Sequence, residues 1–215
     1  EIDRAEELRV KWGVELGQQY KVGRHKVYCA DSNDIDAECD LVCTDPPYDL
    51  SGGQTMQIIG RFAPRAAILC ADQLAFEIAG LWEFRLDLIW QHRKPRSFPT
   101  KNLPVMYHNH ILIVAKRGVK TGWQRPVPNF GSVIQLQGKE FNDDKMGHGK
   151  SAELFVAMLA GFKWRNICNP FLGTGASLLA CESNRRTLIG VEKNPSTLAV
   201  ALERFKECGL SPQKI

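Results

Sequence analysis

Asp45, Pro46, Pro47 and Tyr48 follow directly on residues 40–44, an apolar run with the composition of a buried strand. The two prolines fix the backbone and remove two N–H donors, so carbonyl oxygens and the Asp45 carboxylate are left as acceptors. A cluster that only accepts suits a substrate that donates, such as an amino group. Tyr48 adds a flat face on which a planar ring stacks. In an open parallel sheet the carboxyl ends of strands are where ligands bind, which is where this tetrapeptide falls. The plainer reading of the same residues is a Pro-Pro turn that closes a strand.

A second cluster runs from Asn169 through Phe171, Gly173 and Thr174 to Gly175, after a short apolar stretch, 166–169, and before a helical pattern. Glycines in a strand-to-helix turn let a ligand approach the backbone. The next apolar stretch, 187–191, ends at Glu192, seventeen residues beyond Gly175. Dinucleotide-binding folds place there an acid that hydrogen-bonds ribose hydroxyls. An exposed Glu at a strand end is the alternative.

Charge is distributed unevenly. Between Leu88 and Lys139 there is no Asp or Glu, while nine basic residues fall there: Arg93, Lys94, Arg96, Lys101, Lys116, Arg117, Lys120, Arg125 and Lys139. The remainder of the chain has 19 basic against 24 acidic residues, so the formal net charge of +4 comes from this stretch. Such an asymmetry points to a surface that meets a polyanion, with Arg93, Lys94, Arg96, Lys101, Lys116 and Arg117 as candidate nucleic-acid contacts. A solvated face with carboxylate partners elsewhere in the fold would look the same.

The elements that must hold these residues alternate between short apolar runs and longer helical patterns. Strands are predicted at 26–29, 40–44, 66–70, 85–90, 111–115, 166–169 and 187–191, and helices at 72–79, 151–160, 175–183 and 196–208. This pattern predicts an α/β fold with a doubly wound, mostly parallel sheet in one domain spanning 1–215. Residues 51–60 and 118–149 are polar and Gly-rich and read as long loops, the second a short insertion placed to contact nucleic acid. The loop 51–60, with Gly52 and Gly53 as hinges, is expected to close over the site. Nothing resembles a signal peptide, and no apolar run approaches the roughly 20 residues of a membrane helix. The seven cysteines are scattered and show no paired zinc-ligand spacing, as expected of reduced thiols in a cytoplasmic protein without a metal. The chain opens on Glu1 rather than Met, as a trimmed chain or part of a longer one does.

Together these residues resemble the DNA amino-methyltransferases, which methylate the amino group of adenine or cytosine. Asp45–Tyr48 is similar to the family's catalytic Asp-Pro-Pro-Tyr motif, and Asn169–Gly175 to its Asp-Pro-Phe-x-Gly-Ser-Gly cofactor motif, with Asn169 for Asp and Thr174 for Ser. The catalytic motif comes first, which resembles the circularly permuted beta class. Asp31, in Cys29-Ala30-Asp31-Ser32, resembles the Asp that contacts the cofactor's adenine. His108-Asn109-His110-Ile111-Leu112 is similar to a His-Glu-x-Ile-Leu segment before a late strand. His148-Gly149-Lys150-Ser151 resembles a His-Pro-Thr-Gln-Lys-Pro motif, two residues shorter and without its prolines.

The resemblance implies a Rossmann-like methyltransferase fold, S-adenosylmethionine as cofactor and DNA as partner, and it allows a homodimer. It also implies a mechanism. An exocyclic amino nitrogen is a poor nucleophile because its lone pair is delocalised into the ring. Asp45 and the Pro46 carbonyl would accept its two hydrogens while Tyr48 holds a base flipped out of the helix. No Pro-Cys pair occurs, against the nucleophile of ring-carbon cytosine methylation. Asp rather than Ser at position 45 favours adenine. The alternatives are a cytosine 4-amino enzyme, a methyltransferase of RNA bases or protein glutamine, and an inactive binding subunit of the same fold.

Overall fold

The computed structural model describes residues 2–93, 105–124, 131–136 and 149–215. Among them, ten strands form one sheet: β1 (Gln19–Val22), β2 (His25–Cys29), β3 (Leu41–Thr44), β4 (Arg65–Cys70), β5 (Glu83–Gln91), β6 (His108–Ala115), β7 (Val133–Ile134), β8 (Asn166–Asn169), β9 (Thr187–Glu192) and β10 (Pro212–Lys214). Their order across the sheet is β10-β1-β2-β9-β8-β3-β4-β6-β5-β7. The five central strands β2-β9-β8-β3-β4 are parallel, and β1, β10 and β6 run against their neighbours.

Among the described residues six α-helices cover the two faces: α1 (Ile2–Trp12), α2 (Gly52–Phe62), α3 (Asp72–Ala79), α4 (Ala152–Leu159), α5 (Ala176–Ser183) and α6 (Pro195–Glu207). One core lies between the sheet and α4, α5 and α6, with Leu154, Met158, Leu178, Leu202 and Phe205 in it and α1 leaning on α6. The other lies under α2 and α3 and holds Met56, Ile59, Phe62 and Ile78. Covered on both faces, β3 buries all four of its residues, which is why it reads as an unbroken apolar run.

All seven strands and four helices predicted from the sequence form, with ends shifted by at most three residues. Residues 51–60 are a correction. They are not a loop but the first turns of α2, opened by a capping box in which Ser51 accepts from the Gln54 N–H and the Gln54 side chain accepts from the Ser51 N–H. Thr55, Met56, Ile59 and Phe62 then bury one stripe. Gly52 is no hinge: its N–H donates to Glu77 at 2.6 Å, and a Cβ there would stand 2.6 Å from the Cβ of Glu77. The segment 118–149 is only partly described. Within it Trp123 bridges to Phe162 and β7 joins the sheet beside β5. The cysteines are free thiols. No helix among the described residues is long and apolar enough to cross a membrane.

The two neighbouring glycines of α2 should therefore respond in opposite directions. Gly52→Ala should lower stability by about 1–3 kcal/mol through the overlap with Glu77. Gly53→Ala has open space around its Cβ and should raise stability by about 0.5–1 kcal/mol, the helical preference for Ala. Urea unfolding of both variants checks this, and equal effects would return the segment to a loop.

Candidate active site

Strands β8 and β3 lie side by side in the middle of the sheet, with Leu41 opposite Ile167 and Val42 opposite Cys168. From β8 the chain continues through α5 to β9 on one side, and from β3 through α2 to β4 on the other. Connections that part in opposite directions leave a crevice at the carboxyl ends of the two strands. A buried polar bridge spans its floor. Thr44 Oγ1 donates to Asn169 Oδ1 at 2.6 Å, the Phe171 N–H donates to the same oxygen at 3.0 Å, and Asn169 Nδ2 donates to Ser177 Oγ at 2.8 Å. Thr44 is fully buried and Asn169 is 1% exposed, so each polar group is matched where water does not reach.

Asp45 leaves β3 one residue past this bridge. Its Oδ2 lies 2.9 Å from Lys150 Nζ, and the Lys150 side chain is only 10% exposed. Lys150 immediately precedes Ser151, whose hydroxyl caps α4 by accepting from the Leu154 N–H. Pro46 is buried, Pro47 half-buried, and Tyr48 stands 69% exposed above them.

On the β8 side the turn after Asn169 is held by the Leu172 N–H to Val191 O and the Gly175 N–H to Leu172 O. Gly175 has φ 84°, and a Cβ on it would fall 2.3 Å from the Phe205 ring, so both conformation and packing demand glycine. Gly173 has φ 56° and open space where its Cβ would be. The Glu192 carboxylate accepts from the Gly173 N–H at 2.9 Å and the Asn194 N–H at 2.8 Å. Burial raises its pKa, against those two donors, which pull it down. Asp31 caps a single 3-10 turn, accepting from the Asn33 N–H at 2.8 Å, and the Ser32 hydroxyl donates to Pro170 O. Thr174 O accepts from Arg204. Asp31, Asn169, Phe171, Gly173, Thr174, Gly175 and Glu192 therefore line the ends of β2, β8 and β9, beside Asp45 at the end of β3.

No protein-family model and no curated protein matches the chain. Solved structures do. M1.HpyAVI, solved as a SAM complex, shares 21% identity at a TM-score of 0.68, covering 84% of this chain and 99% of that one. A Thermus thermophilus protein described as a putative DNA modification methylase, complexed with S-adenosyl-L-methionine, shares 20% at 0.61, covering 85% and 93%. PvuII DNA methyltransferase, cytosine-N4-specific, shares 13% at 0.58, covering 90% and 94%. The fold is that of the DNA methyltransferases. At these identities the likeness is one of fold.

On this methyltransferase fold the described basic residues of the stretch do not make one surface. Arg93 lies two residues past the end of β5, at the same carboxyl edge as Asp45, and donates to Leu136 O at 2.7 Å, in a groove lined also by Gln91, Tyr107 and Gln135. Lys94, Arg96, Lys101, Arg125, Lys139 and His148 lie outside the described residues. Lys116 and Arg117 are the other described candidates for contact with nucleic acid. They follow Ala115, which pairs with Arg65 at the start of β4, and so stand at the opposite edge of the sheet from Asp45. There Lys116 Nζ donates to Gly60 O and lies over the Trp82 ring.

Sequence reasoning left the role of Lys150 open and missed those of Ser32, Thr44 and Ser177. Each acts across a gap in sequence that local patterns do not span. Asn109 is nearly buried and ties β6 to its neighbours, donating to Cys70 O at 3.2 Å and standing 2.7 Å from His92 Nε2.

Cutting the floor bridge should loosen both motifs at once. Thr44→Val keeps the shape but leaves Asn169 Oδ1 one donor short, at a cost of about 1–3 kcal/mol in urea unfolding. A cost near zero would show that the bridge does not hold the crevice.

Proposed function

We propose that this chain transfers a methyl group from S-adenosylmethionine to the 6-amino group of adenine in DNA. The observation that carries the reading is the position of the acceptor cluster Asp45–Tyr48, one hydrogen-bonded bridge away from a glycine turn backed by an acid. The likeness in fold to a SAM complex and to an enzyme described as a DNA methyltransferase supports it. The catalytic half precedes the cofactor half along the chain, in keeping with the permuted beta class.

The residues fit the cofactor. The space over Gly173 is open to a ligand approaching the backbone. The Glu192 carboxylate uses one lone pair on each oxygen for Gly173 and Asn194 and keeps others for ribose hydroxyls. Asp31, tied to the same turn through Ser32, takes the adenine end, and Phe171 and Thr174 line the space between. When bound, the cofactor supplies a methyl group on a sulfonium, an electrophile that needs no further activation. The chain's own part is positioning. Asp45 and the Pro46 carbonyl accept the two amino hydrogens and turn the nitrogen lone pair out of the ring plane. Tyr48 stacks on the flipped base, and Lys150 fixes the rotation of the Asp45 carboxylate by holding Oδ2. The methylated nitrogen then sheds one proton along its bond to Asp45.

A cytosine 4-amino target is the second reading, favoured by the likeness in fold to the cytosine-N4-specific PvuII enzyme. A carboxylate at position 45 accepts more strongly than a serine hydroxyl, and in the resembling family it goes more often with adenine. Mass spectrometry of DNA digested after reaction should find 6-methyladenine; methylated cytosine beside unmodified adenine would reverse the choice of base. Asp45→Ala should abolish transfer and leave cofactor affinity intact in calorimetry. Glu192→Ala should weaken that affinity by about 1–3 kcal/mol. Turnover by Asp45→Ala near the parent rate would sink the assignment.

The two edges of the sheet give a further test. Arg93→Glu should weaken DNA binding at any sequence and flatten its salt dependence, whereas Lys116→Glu should leave both nearly unchanged. Equal losses from the two reversals would mean that DNA reaches around the whole sheet.

A further inference from the structure

A second cluster of chemically capable side chains stands on the carboxyl edge, two strands from β3 under α3. His108 and His110 open β6 two residues apart and so point to the same face of the sheet. Asp87 of β5 is paired with Leu112, which puts it on that face as well. Asp72 is the first residue of α3, two beyond the end of β4. His110 Nε2 lies 3.1 Å from Asp72 Oδ1, and His108 Nε2 lies 3.6 Å from the same oxygen. One ligand atom from each of Asp72, His108 and His110 falls within 4.8 Å of the others. The other ring nitrogen of His110, Nδ1, stands 2.8 Å from Asp87 Oδ2.

We propose that Asp72, His108 and His110 bind a divalent transition-metal ion of the zinc class, with Asp87 orienting His110 from behind. Two imidazoles and one carboxylate are the donor set that zinc and its neighbours accept, whereas magnesium and calcium take oxygen ligands. Ligand atoms about 2.0 Å from one zinc stand about 3.3 Å apart in a tetrahedron. The 3.1 and 3.6 Å separations lie close to that spacing, and the third pair of ligand atoms is within 4.8 Å. A metal-bound histidine characteristically gives its remaining N–H to a carboxylate, and Asp87 stands ready for it. Asp87 Oδ1 meets no donor among the described residues, so the carboxylate is aimed by His110 alone. An imidazole lodged between two acids needs no metal, but it also needs no second imidazole. His108 brings one to the same Asp72 oxygen, its ring 5.3 Å from that of His110. Three ligands leave a fourth position for water. The site does not depend on the proposed methyl transfer.

The test is titration of the metal-freed full chain with Co²⁺ and Zn²⁺ at neutral pH. One equivalent of Co²⁺ should bind, give visible d–d absorption and be displaced by Zn²⁺. His108→Ala, His110→Ala and Asp72→Asn should each weaken uptake by about tenfold or more, and Asp87→Asn, which spares all three ligands, by about 10–100-fold. Asp72 lies partly exposed at a helix start, so its variant should retain the parent circular dichroism spectrum and report on the site alone. No stoichiometric uptake by the folded parent chain overturns the proposal, as does uptake that all four substitutions leave unchanged.

Discussion

Thr44 and Asn169 meet across the seam between β3 and β8 with neither touching water. A hydroxyl and an amide buried in this way must satisfy each other, because leaving either unpaired costs about 1–3 kcal/mol. The pair therefore locks β3 and β8 in one register. A one-residue slip of β3 would turn Thr44 away and send Asp45 to the opposite face. Since Asp45 and Pro170 each follow directly on one partner of this bond, the bond sets the distance between the acceptor cluster and the glycine turn. Chemistry that depends on alignment gains from being mounted on strands rather than on loops.

The rest of the crevice is built outward from that seam. Gly175 lies against Phe205 of α6, so the turn rests on a helix that is itself anchored in the larger core. Glu192 holds the Gly173 N–H, and Ser32 holds the Pro170 carbonyl, which draws the ends of β9 and β2 onto the same turn. On the other side, Lys150 reaches Asp45 from the start of α4. Four strand ends and one helix start thus converge through hydrogen bonds a few ångströms long, and none of these depends on a ligand.

What could be read from the sequence follows the physics of burial. Central parallel strands are covered on both faces, so β3, β4, β8 and β9 appear as apolar runs, and the motifs at their ends can be placed directly. Edge strands have no such mark. The edge strands β10 and β7 span three and two residues, and β1, one strand in from the edge, alternates exposed and buried residues, so the sequence marks none of the three. The helix α2 was hidden by Gly52 and Gly53, although Ser51 and Gln54 stand at capping-box spacing and offered a signal. Where the basic residues stand is not legible in their composition. The eight residues of β6 carry the chain about 26 Å, from the edge of Asp45 to the opposite one, so Lys116 and Arg93 share a stretch of sequence but not a surface. The contacts of Lys150, Ser32 and Asp87 with their partners are fixed only when the sheet closes.

The carboxyl edge gathers acids: Asp31, Asp45, Glu192, Asp72 and Asp87 all face it or lie just inside it. An edge of that composition left bare would repel a polyanion. The structure answers locally rather than with a diffuse field. Asp45 is paired with Lys150, Glu192 accepts from two backbone N–H groups, and Asp72 and Asp87 each stand within hydrogen-bond distance of the His110 ring. Arg93 stands on this same edge, where its guanidinium donates to Leu136 O. Local pairing of the acids and Arg93 at the rim both make this edge less hostile to an anion. On the proposed reading, the Asp45 carboxylate presents its acceptors to an amino group of DNA only where the surrounding surface lets a phosphate backbone come near.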